Sequence, residues 1–357
     1  MKLRNSNHHT KSRVQSAAQS RVGMVALYLS SALLTNACGK SEDKAPGENL
    51  TAAEATVDND EASLTSRIEQ TNIPVTLDAP PGQLLVVDAF VGLQVGYVNP
   101  PTVGSNIVQA NKVLVNGLTT YIGYNFAGEP YSGAIDAMDL QNLATLTLKS
   151  SLKFTDTDIN GTLAITKTTA LTDARSVGFT PAGLPMVLSG QPGRVNTMTA
   201  AGDISSTFAL GGAATVQSKS NLYVGSKWSV ATLSEGGFKI FCNSDGTVIA
   251  TVPQVTISGT PAAKTVTNAV TSANGVIYTA NGEAGIYVYY VRSSGSSTCG
   301  SGSVTPMGSM NIGGSTLSAN GVFANGLNLF VADGLGGLRV MTTVTTVNVL
   351  SPLTDRL

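Results

Sequence analysis

The chain has 357 residues, of which 21 are basic and 22 acidic, and its formal net charge is −1. Residues 73–357 carry 14 of the acidic and 13 of the basic residues, and this near-neutral balance argues against a nucleic-acid partner, which needs a basic surface. Both histidines, His8 and His9, lie close to the N-terminus. The rest of the chain therefore has no histidine for a Ser–His–Asp triad, a Cys–His pair or a histidine-ligated metal.

The N-terminal residues have the organisation of a secretory signal. Residues 1–21 are basic and polar, and residues 22–34 form an apolar run of 13 residues that ends just before Ala37-Cys38. Such a run is too short to span a membrane, which takes about 20 apolar residues. The Ala-Cys ending resembles the bacterial lipoprotein signal, in which leucine usually occupies the place of Thr35. The resemblance implies removal of residues 1–37 and acylation of Cys38. Ordinary signal-peptide cleavage near Ala37 is the alternative.

The residues after Cys38 predict where the chain goes and how it is held. Gly39 and Lys40 follow the cysteine, with no aspartate, and in Gram-negative lipoproteins this resemblance implies an outer-membrane location. The lipid bilayer is then a partner through acylated Cys38, with the protein on the periplasmic or the cell-surface side. Residues 39–72 carry eight acidic and three basic residues and little apolar patterning. We therefore expect residues 38–72 to be a disordered tether.

Two further cysteines, Cys242 and Cys299, lie at equivalent ends of two neighbouring repeats. An exported chain meets an oxidising compartment, so an even number of cysteines indicates a disulfide. We predict that these two pair, and two separate buried thiols are the alternative.

The main domain, residues 73–357, is predicted to be an all-β propeller. A short apolar strand, a glycine-rich turn and a second apolar strand occupy residues 325–340 and recur at 274–288. Repeats of this kind in a strand-rich chain favour propeller blades. Six blades are preferred, and a seventh results if the hairpin at 151–171 is a degenerate blade. The expected blades cover 73–98, 113–149, 176–210, 213–253, 266–310 and 317–350.

Two of these repeats carry a recognisable motif. Residues 329–340 read LFVADGLGGLRV, residues 277–288 read IYTANGEAGIYV, and weaker copies occur near 121–136 and 222–240. These stretches resemble the LVIVD-repeat family of bacterial propellers. The resemblance implies blade packing in an exported or surface protein and implies no catalytic residues.

In a propeller the turns between the second and third strands of each blade share one face, where ligands usually bind. We expect polar and aromatic residues of these turns to contact a protein or glycan by hydrogen bonds and stacking. Solvated turn residues are the alternative for each of them. The candidates are Tyr124, Glu129, Arg194, Lys227, Trp228, Asn281, Glu283 and Asp333.

One stretch has the spacing of a calcium loop. Asp156, Asp158 and Asn160 precede Gly161 in the pattern D-x-D-x-N-G, which would direct three oxygen-bearing side chains around a turn. An ordinary hairpin with an Asn-Gly turn is the competing interpretation. No other cofactor is expected.

Three hypotheses about function follow. The first is a lipid-anchored propeller that serves as a binding or adhesion module for an envelope protein or glycan. The second is a periplasmic hydrolase or lyase, which would need two or three carboxylates clustered at the channel mouth. The third is a structural subunit of an envelope complex, which would show an exposed apolar face on the disc.

Overall fold

The computed structural model describes residues 55–79, 91–126, 131–155, 171, 173–212, 214, 219–273, 275–293, 299, 302–310 and 317–343. Cys38 and Glu129 lie outside these residues, as does the predicted calcium loop with Asp156, Asp158 and Asn160.

The regular secondary structure of the described residues is nearly all β-strand, which agrees with the abundance of Thr, Val, Ser and Gly. They contain one α-helix, one 3-10 helix and 24 strands. In chain order these are β1 (Ala55–Asp58), α1 (Glu61–Thr65), β2 (Ile68–Thr76), β3 (Val91–Val98), β4 (Thr102–Val103), β5 (Asn106–Ile107), β6 (Gln109–Asn116), β7 (Thr119–Asn125), β8 (Gly133–Asp139), β9 (Thr147–Phe154), β10 (Ala174–Phe179), β11 (Pro185–Ser189), β12 (Arg194–Met198), β13 (Ile204–Ala209), β14 (Leu222–Val224), β15 (Trp228–Thr232), β16 (Phe238–Cys242), β17 (Val248–Val252), the 3-10 helix (Ala262–Lys264), β18 (Ala269–Ala273), β19 (Val276–Ala280), β20 (Ile286–Ser293), β21 (Gly302–Met310), β22 (Gly321–Asn325), β23 (Asn328–Ala332) and β24 (Leu338–Thr343).

The strands form five antiparallel sheets arranged as the blades of a propeller, apart from the small hairpin β4–β5. Each blade has four strands, termed a to d from the central channel outward. The a strands contact one another in series, β10 with β14, β14 with β18, β18 with β22 and β22 with β6. Blade 1 is β6–β9, blade 2 is β10–β13, blade 3 is β14–β17, blade 4 is β18–β21, and the closing blade is β22, β23, β24 and β3.

The described residues thus form five blades, and the preferred count of six is wrong. Residues 92–98 were expected in a separate first blade, but β3 pairs with β24 and supplies strand d of the closing blade. Residues 84–89 and 344–350, the other strands expected in the first and last blades, lie outside the described residues. Because a strand from early in the chain completes the last blade, the first and last parts of the propeller are joined within one sheet. This arrangement protects sheet edges.

The N-terminal part of the described chain adds a fifth, outer strand to two blades. β1 pairs with β9 on the outside of blade 1, and β2 pairs with β3 on the outside of the closing blade. Helix α1 lies between them, and Leu64 on this helix is 2% exposed and belongs to the core between the two blades. Residues 55–72, which the sequence analysis placed in the tether, are therefore folded. The apolar stripe of α1 is only one turn long, which is why composition did not reveal it.

The core lies between the faces of adjacent blades. One cluster joins blade 1 to the closing blade and includes Ile122, Phe330 and Val340, each 0% exposed. A second joins the closing blade to blade 4 and includes Val288 and Val331. Both faces of the inner strands are buried in this way, which explains the continuous apolar runs in strands b and c.

The turns between strands b and c are built alike in three blades. In the closing blade, the Asp333 amide donates to the Gly337 carbonyl at 2.8 Å, and the same bond joins Asn281 to Gly285 and Leu233 to Gly237. The second residue of each turn then forms a β-bridge to the chain at, or just before, the start of strand a of the next blade, as Gly282 does with Ala319. The second residue is Gly282, Gly334 or, in blade 3, Ser234, and all three have positive φ. The left-handed backbone at this position therefore serves the contact between blades as well as the turn itself.

Cys242 and Cys299 form a disulfide, as predicted, with their Cα atoms 5.7 Å apart. Cys242 ends strand c of blade 3, and Cys299 follows strand c of blade 4. The bond therefore links two adjacent blades on the face that carries the a–b and c–d turns. Over the described ranges, no helix is both long and apolar enough to cross a membrane.

Candidate functional site

The structure brings four of the predicted ligand residues to the face that carries the b–c turns: Arg194, Asn281, Glu283 and Asp333. Their side chains are largely occupied by contacts within the protein. Asn281 is 1% exposed and accepts a hydrogen bond from the Thr267 hydroxyl at 3.0 Å. Glu283 pairs with Lys264 at 2.9 Å. These two side chains hold neighbouring segments together, and Arg194, at the start of β12, is half-buried.

Lys227 and Trp228 lie on the opposite face, and the prediction that they occupy a b–c turn is wrong. That prediction takes residues 221–225 as strand b of the blade at 213–253, but Leu222–Val224 is strand a of blade 3 and pairs with β15. Lys227 is therefore in the a–b turn and is exposed. Trp228 begins strand b and packs beside Cys242 in the core with 7% of its surface exposed. The true b–c turn is 233–237, which repeats the turns of the later blades.

Tyr124 is fully buried and belongs to a charged cluster at the base of blade 1. Arg67, which precedes β2, donates from Nη1 to Asp136 Oδ1 at 3.1 Å and from Nη2 to Oδ2. Asp136 is 0% exposed. Burial, and then the charge of Asp136, raises the pKa of Tyr124 well above its usual range. Because no surface of Tyr124 is accessible, its role is in packing the N-terminal segment against blade 1.

A cleft of about 430 Å³ opens at the rim where the closing blade meets blade 4. Asp78 joins the two blades there, because its amide donates to the Ser309 carbonyl at 2.9 Å. A tyrosine ring, two carboxylates, a guanidinium group and an amide all line this cleft. The lining residues are Glu69, Thr71, Ile73, Pro74, Val75, Thr76, Asp78, Gln94, Tyr97 and Arg339.

Side-chain contacts connect this cleft to the b–c turn of the closing blade. Arg339 donates from Nε to Asp333 Oδ2 at 3.3 Å, and its guanidinium carbon lies 4.6 Å from the centre of the Tyr97 ring. The Tyr97 hydroxyl donates to Glu69, and this hydrogen bond is the largest cause that raises the pKa of Tyr97. The chain of contacts fixes the orientation of the tyrosine ring and leaves the second oxygen of Glu69 for a ligand.

Asp333 has the most perturbed carboxyl group of this network. Burial raises the pKa of Asp333 to about 6, and the charge of Arg339 opposes that rise. The pair is consequently a charged contact with little access to water, since Asp333 is 3% exposed. The glycines around it leave room for this arrangement, because a Cβ on Gly336 would lie 2.8 Å from Asp333 Oδ2.

Sequence reasoning missed an asparagine that opens strand a in several blades. The side-chain amide of Asn268 donates from Nδ2 to the Ala319 carbonyl at 3.2 Å, and that of Asn320 donates from Nδ2 to the Ala110 carbonyl at 3.2 Å. Each of these bonds crosses to the next blade around the channel. The available signal was an asparagine just before an apolar run, as in Asn111, Asn221, Asn268 and Asn320.

The cleft is also not where the sequence placed the ligand site. Its acids, Glu69 and Asp78, belong to segments that were assigned to the tether and to an incomplete first blade. In the part of the chain that the structure describes, no three His, Cys, Asp or Glu side chains group as metal ligands would.

No family model matches the chain, and no curated protein matches it. Solved structures give distant matches. The WD40 domain of Neurospora crassa Pan2 is 12% identical with a TM-score of 0.36, and the match covers 67% of this chain and 90% of that one. Myxococcus xanthus glutaminyl cyclase is 12% identical with a TM-score of 0.34, and the match covers 71% and 97%. The computationally designed Ika4 protein is 10% identical with a TM-score of 0.35, and the match covers 50% and 97%. At these values the likenesses carry no argument about function.

Proposed function

We propose that this chain is an outer-membrane lipoprotein of the LVIVD-repeat kind, anchored through acylated Cys38, whose propeller binds a ligand of the cell envelope. The Ala37-Cys38 ending and the apolar run before it support the anchor. The glycine-rich repeats at 277–288 and 329–340 support the family. An acyl chain holds such a domain at a bilayer without spanning it.

The observation that carries the binding function is the rim cleft. Its volume of about 430 Å³ is within the range of small-molecule sites. The Tyr97 ring, stacked with the Arg339 guanidinium, lines the cleft, and Glu69, Asp78 and Gln94 offer oxygen and nitrogen atoms around it. A ring beside several hydrogen-bonding groups suits the alternating apolar and hydroxyl faces of a sugar. The ligand of this cleft is therefore a segment of an envelope glycan.

A glycan-binding experiment tests this proposal. The full-length protein, a Glu69→Gln/Asp78→Asn variant and a Glu61→Gln control are each applied to immobilised envelope glycans. Glu61 is an exposed acid on α1, away from the cleft. The proposal expects the wild type and the control to bind alike and the cleft variant to lose at least tenfold in affinity. Equal binding by all three proteins contradicts it.

A second function, that of a structural subunit in an envelope complex, is favoured by one observation. Large apolar side chains are 37–60% exposed on the a–b face of three adjacent blades: the closing blade, blade 1 and blade 2. Several exposed apolar side chains on one face of a domain are typical of a protein interface. The residues are Leu114, Leu118, Val177, Phe179, Leu184 and Leu327. A Leu118→Glu/Phe179→Glu variant that still co-purifies with the same envelope proteins as the wild type would contradict this function.

A further inference from the structure

One wall of the rim cleft is a row of side chains that crosses three strands of the closing blade. Arg339 on β24, Tyr97 on β3 and Glu69 on β2 are register partners. Such partners project from the same face of a sheet. This face is the one that meets blade 4, because Val331, the partner of Arg339 on β23, belongs to the core shared with that blade. The row therefore presents a cation, an aromatic ring and a carboxylate to the cleft in a fixed order.

The positive charge of this row is already compensated. Arg339 is the only basic residue among the described residues that line the cleft. Its Nε donates to Asp333 Oδ2 at 3.3 Å, and its guanidinium carbon lies 4.6 Å from the centre of the Tyr97 ring. Asp333 is buried, so this carboxylate compensates the guanidinium group without itself facing solvent. An anionic ligand would therefore meet no uncompensated positive charge among the described lining residues.

The two acids of the cleft have no basic partner in the described part of the chain. Neither Glu69 nor Asp78 takes part in an ion pair there. Glu69 accepts the hydrogen bond of the Tyr97 hydroxyl through Oε2, which leaves Oε1 and the charge of the group for a ligand. Asp78 lines the cleft where the chain joins blade 4. Both residues are exposed, so the cleft has an excess of negative charge.

A buried amide adds a further hydrogen-bond acceptor. Gln94 lines the cleft and is 3% exposed. Its register partner on β24 is Met341, two residues after Arg339, so Gln94 projects from the same face as the row. Its Nε2 lies 3.5 Å from the Thr71 hydroxyl, at the limit of a hydrogen bond, and its Oε1 accepts none from the described residues. Polar atoms of buried side chains mostly have a partner, so this oxygen indicates where a ligand donates.

We propose that the rim cleft selects a glycan unit that carries a free, protonated amino group, whose N–H groups donate to Glu69 and Gln94. An ammonium group donates through all of its hydrogens and has no acceptor, which complements a cleft with free acceptors and negative charge. An N-acetylated unit has no charge to offer, and a unit with a carboxylate is repelled by Glu69 and Asp78. This inference rests on the proposed glycan-binding function and adds to it the charge of the sugar unit.

Isothermal titration calorimetry of the full-length protein with a matched pair of oligosaccharides tests the selectivity. The probes are tetramers of β-1,4-linked glucosamine, with free amino groups, and of N-acetylglucosamine. Neutral pH and about 0.15 M salt are used, because exposed charges more than about 8 Å apart are then largely screened. The variant is Glu69→Gln, which removes the charge and keeps an oxygen for the Tyr97 hydroxyl. The control is Glu61→Gln, which removes the same charge from α1.

The proposal predicts that the wild type and Glu61→Gln bind the glucosamine tetramer at least about tenfold more tightly than the acetylated one, the effect of one hydrogen bond to a charged group. Glu69→Gln should lose this preference. Equal affinity of the wild type for the two tetramers overturns the inference, as does a lack of binding to both or a preference that Glu69→Gln retains.

The immobilised envelope glycans judge the proposed function separately. A wild type that binds these glycans but does not prefer the glucosamine tetramer contradicts the selectivity for an amino group and leaves the glycan-binding function in place. A wild type that binds neither the envelope glycans nor the tetramers contradicts both.

Discussion

Arg67 and Asp136 are 69 residues apart in sequence and form a buried bidentate ion pair between the N-terminal segment and blade 1. Arg67 lies between α1 and β2, while Asp136 is in strand c of blade 1. The pair therefore fixes the segment that crosses from the edge of blade 1 to the edge of the closing blade. Arg67 also donates to the carbonyl of Asn99 at 2.9 Å, which adds the residue that follows β3 to the same contact.

Loss of either partner of this pair should destabilise the protein strongly. Asp136→Asn or Arg67→Met leaves a charge in a largely buried site, and such a change typically costs about 3–5 kcal/mol of unfolding free energy. Urea unfolding measures the change. The control is Lys149→Met, which breaks the Lys149–Asp139 pair whose lysine is 59% exposed, and which should cost less than about 1 kcal/mol. Similar costs for the buried and the exposed pair would contradict the role given to Arg67.

The Asp333–Arg339 pair predicts a specific dependence of stability on pH. The pKa of Asp333 is about 6 in the folded protein against an ordinary value of 3.8, so between these values the folded state binds more protons than the unfolded state. Unfolding free energy must then fall as pH rises from 4 to 6, by about 3 kcal/mol for the difference between these two pKa values. The pKa values of Asp58, Asp139 and Asp245 are lowered, so their contributions disappear below this window, as pH falls under 4.

Chemical denaturation at half-unit pH steps checks this prediction. Asp333→Asn removes the titrating group and should flatten the curve between pH 4 and 6. A wild-type curve that rises through the same window would mean that Asp333 titrates near its ordinary value.

The Cys242–Cys299 disulfide should stabilise the propeller by joining blades 3 and 4. The two residues are 57 apart in sequence, and the loop-closure relation gives about 4 kcal/mol for a loop of that size. Urea unfolding with and without reductant should show this difference for the wild type. The Cys242→Ser/Cys299→Ser variant should match the reduced wild type, whereas Cys38→Ser should behave as the oxidised wild type. No effect of reductant on stability would contradict the contribution assigned to this bond.

Substitutions at two glycines of the closing blade measure the cost of backbone strain and the cost of lost close packing separately. Gly337 and Gly326 both have positive φ, at 70° and 61°. A Cβ at Gly337 would overlap the Val98 carbonyl oxygen of β3, while a Cβ at Gly326 would have no atom within 4 Å. Gly326→Ala should therefore cost about 1 kcal/mol for the left-handed conformation alone. Gly337→Ala should cost at least twice as much in urea unfolding, and equal costs would contradict the close approach of β3.

The sequence was sufficient to predict strands, turns and the disulfide, because these depend on local signals. Alternating apolar residues and Asn-Gly pairs mark β18–β20 and β22–β24, and export makes an even pair of cysteines informative. It was not sufficient to predict which sheet a strand joins. Residues 92–98 have the pattern of a strand in any blade, and only the pairing of Gly96 with Val340 assigns them to the last one.

Because the sequence does not show which sheet a strand joins, it also did not predict the rim cleft. Glu69, Asp78 and Tyr97 are close in sequence, but they form a cleft only because β2 and β3 join the closing blade beside blade 4. In blade 3, Trp228 was misplaced because strand a has only three residues and offers a weak signal. Contacts between distant segments therefore decide the first case, and a weak local signal decides the second.

The central claim is that the N-terminal strand β3 completes the closing blade and so builds the rim cleft. The most direct measurement is oxidative cross-linking of a Leu93→Cys/Thr342→Cys variant, whose residues are register partners on β3 and β24, followed by peptide mapping of the disulfides. A Leu93→Cys/Thr251→Cys variant, which places the second cysteine in blade 3, is the control. The account predicts a 93–342 disulfide in high yield, native Cys242–Cys299 pairing and no 93–251 bond. Failure of residues 93 and 342 to cross-link under conditions that preserve the native disulfide would contradict it.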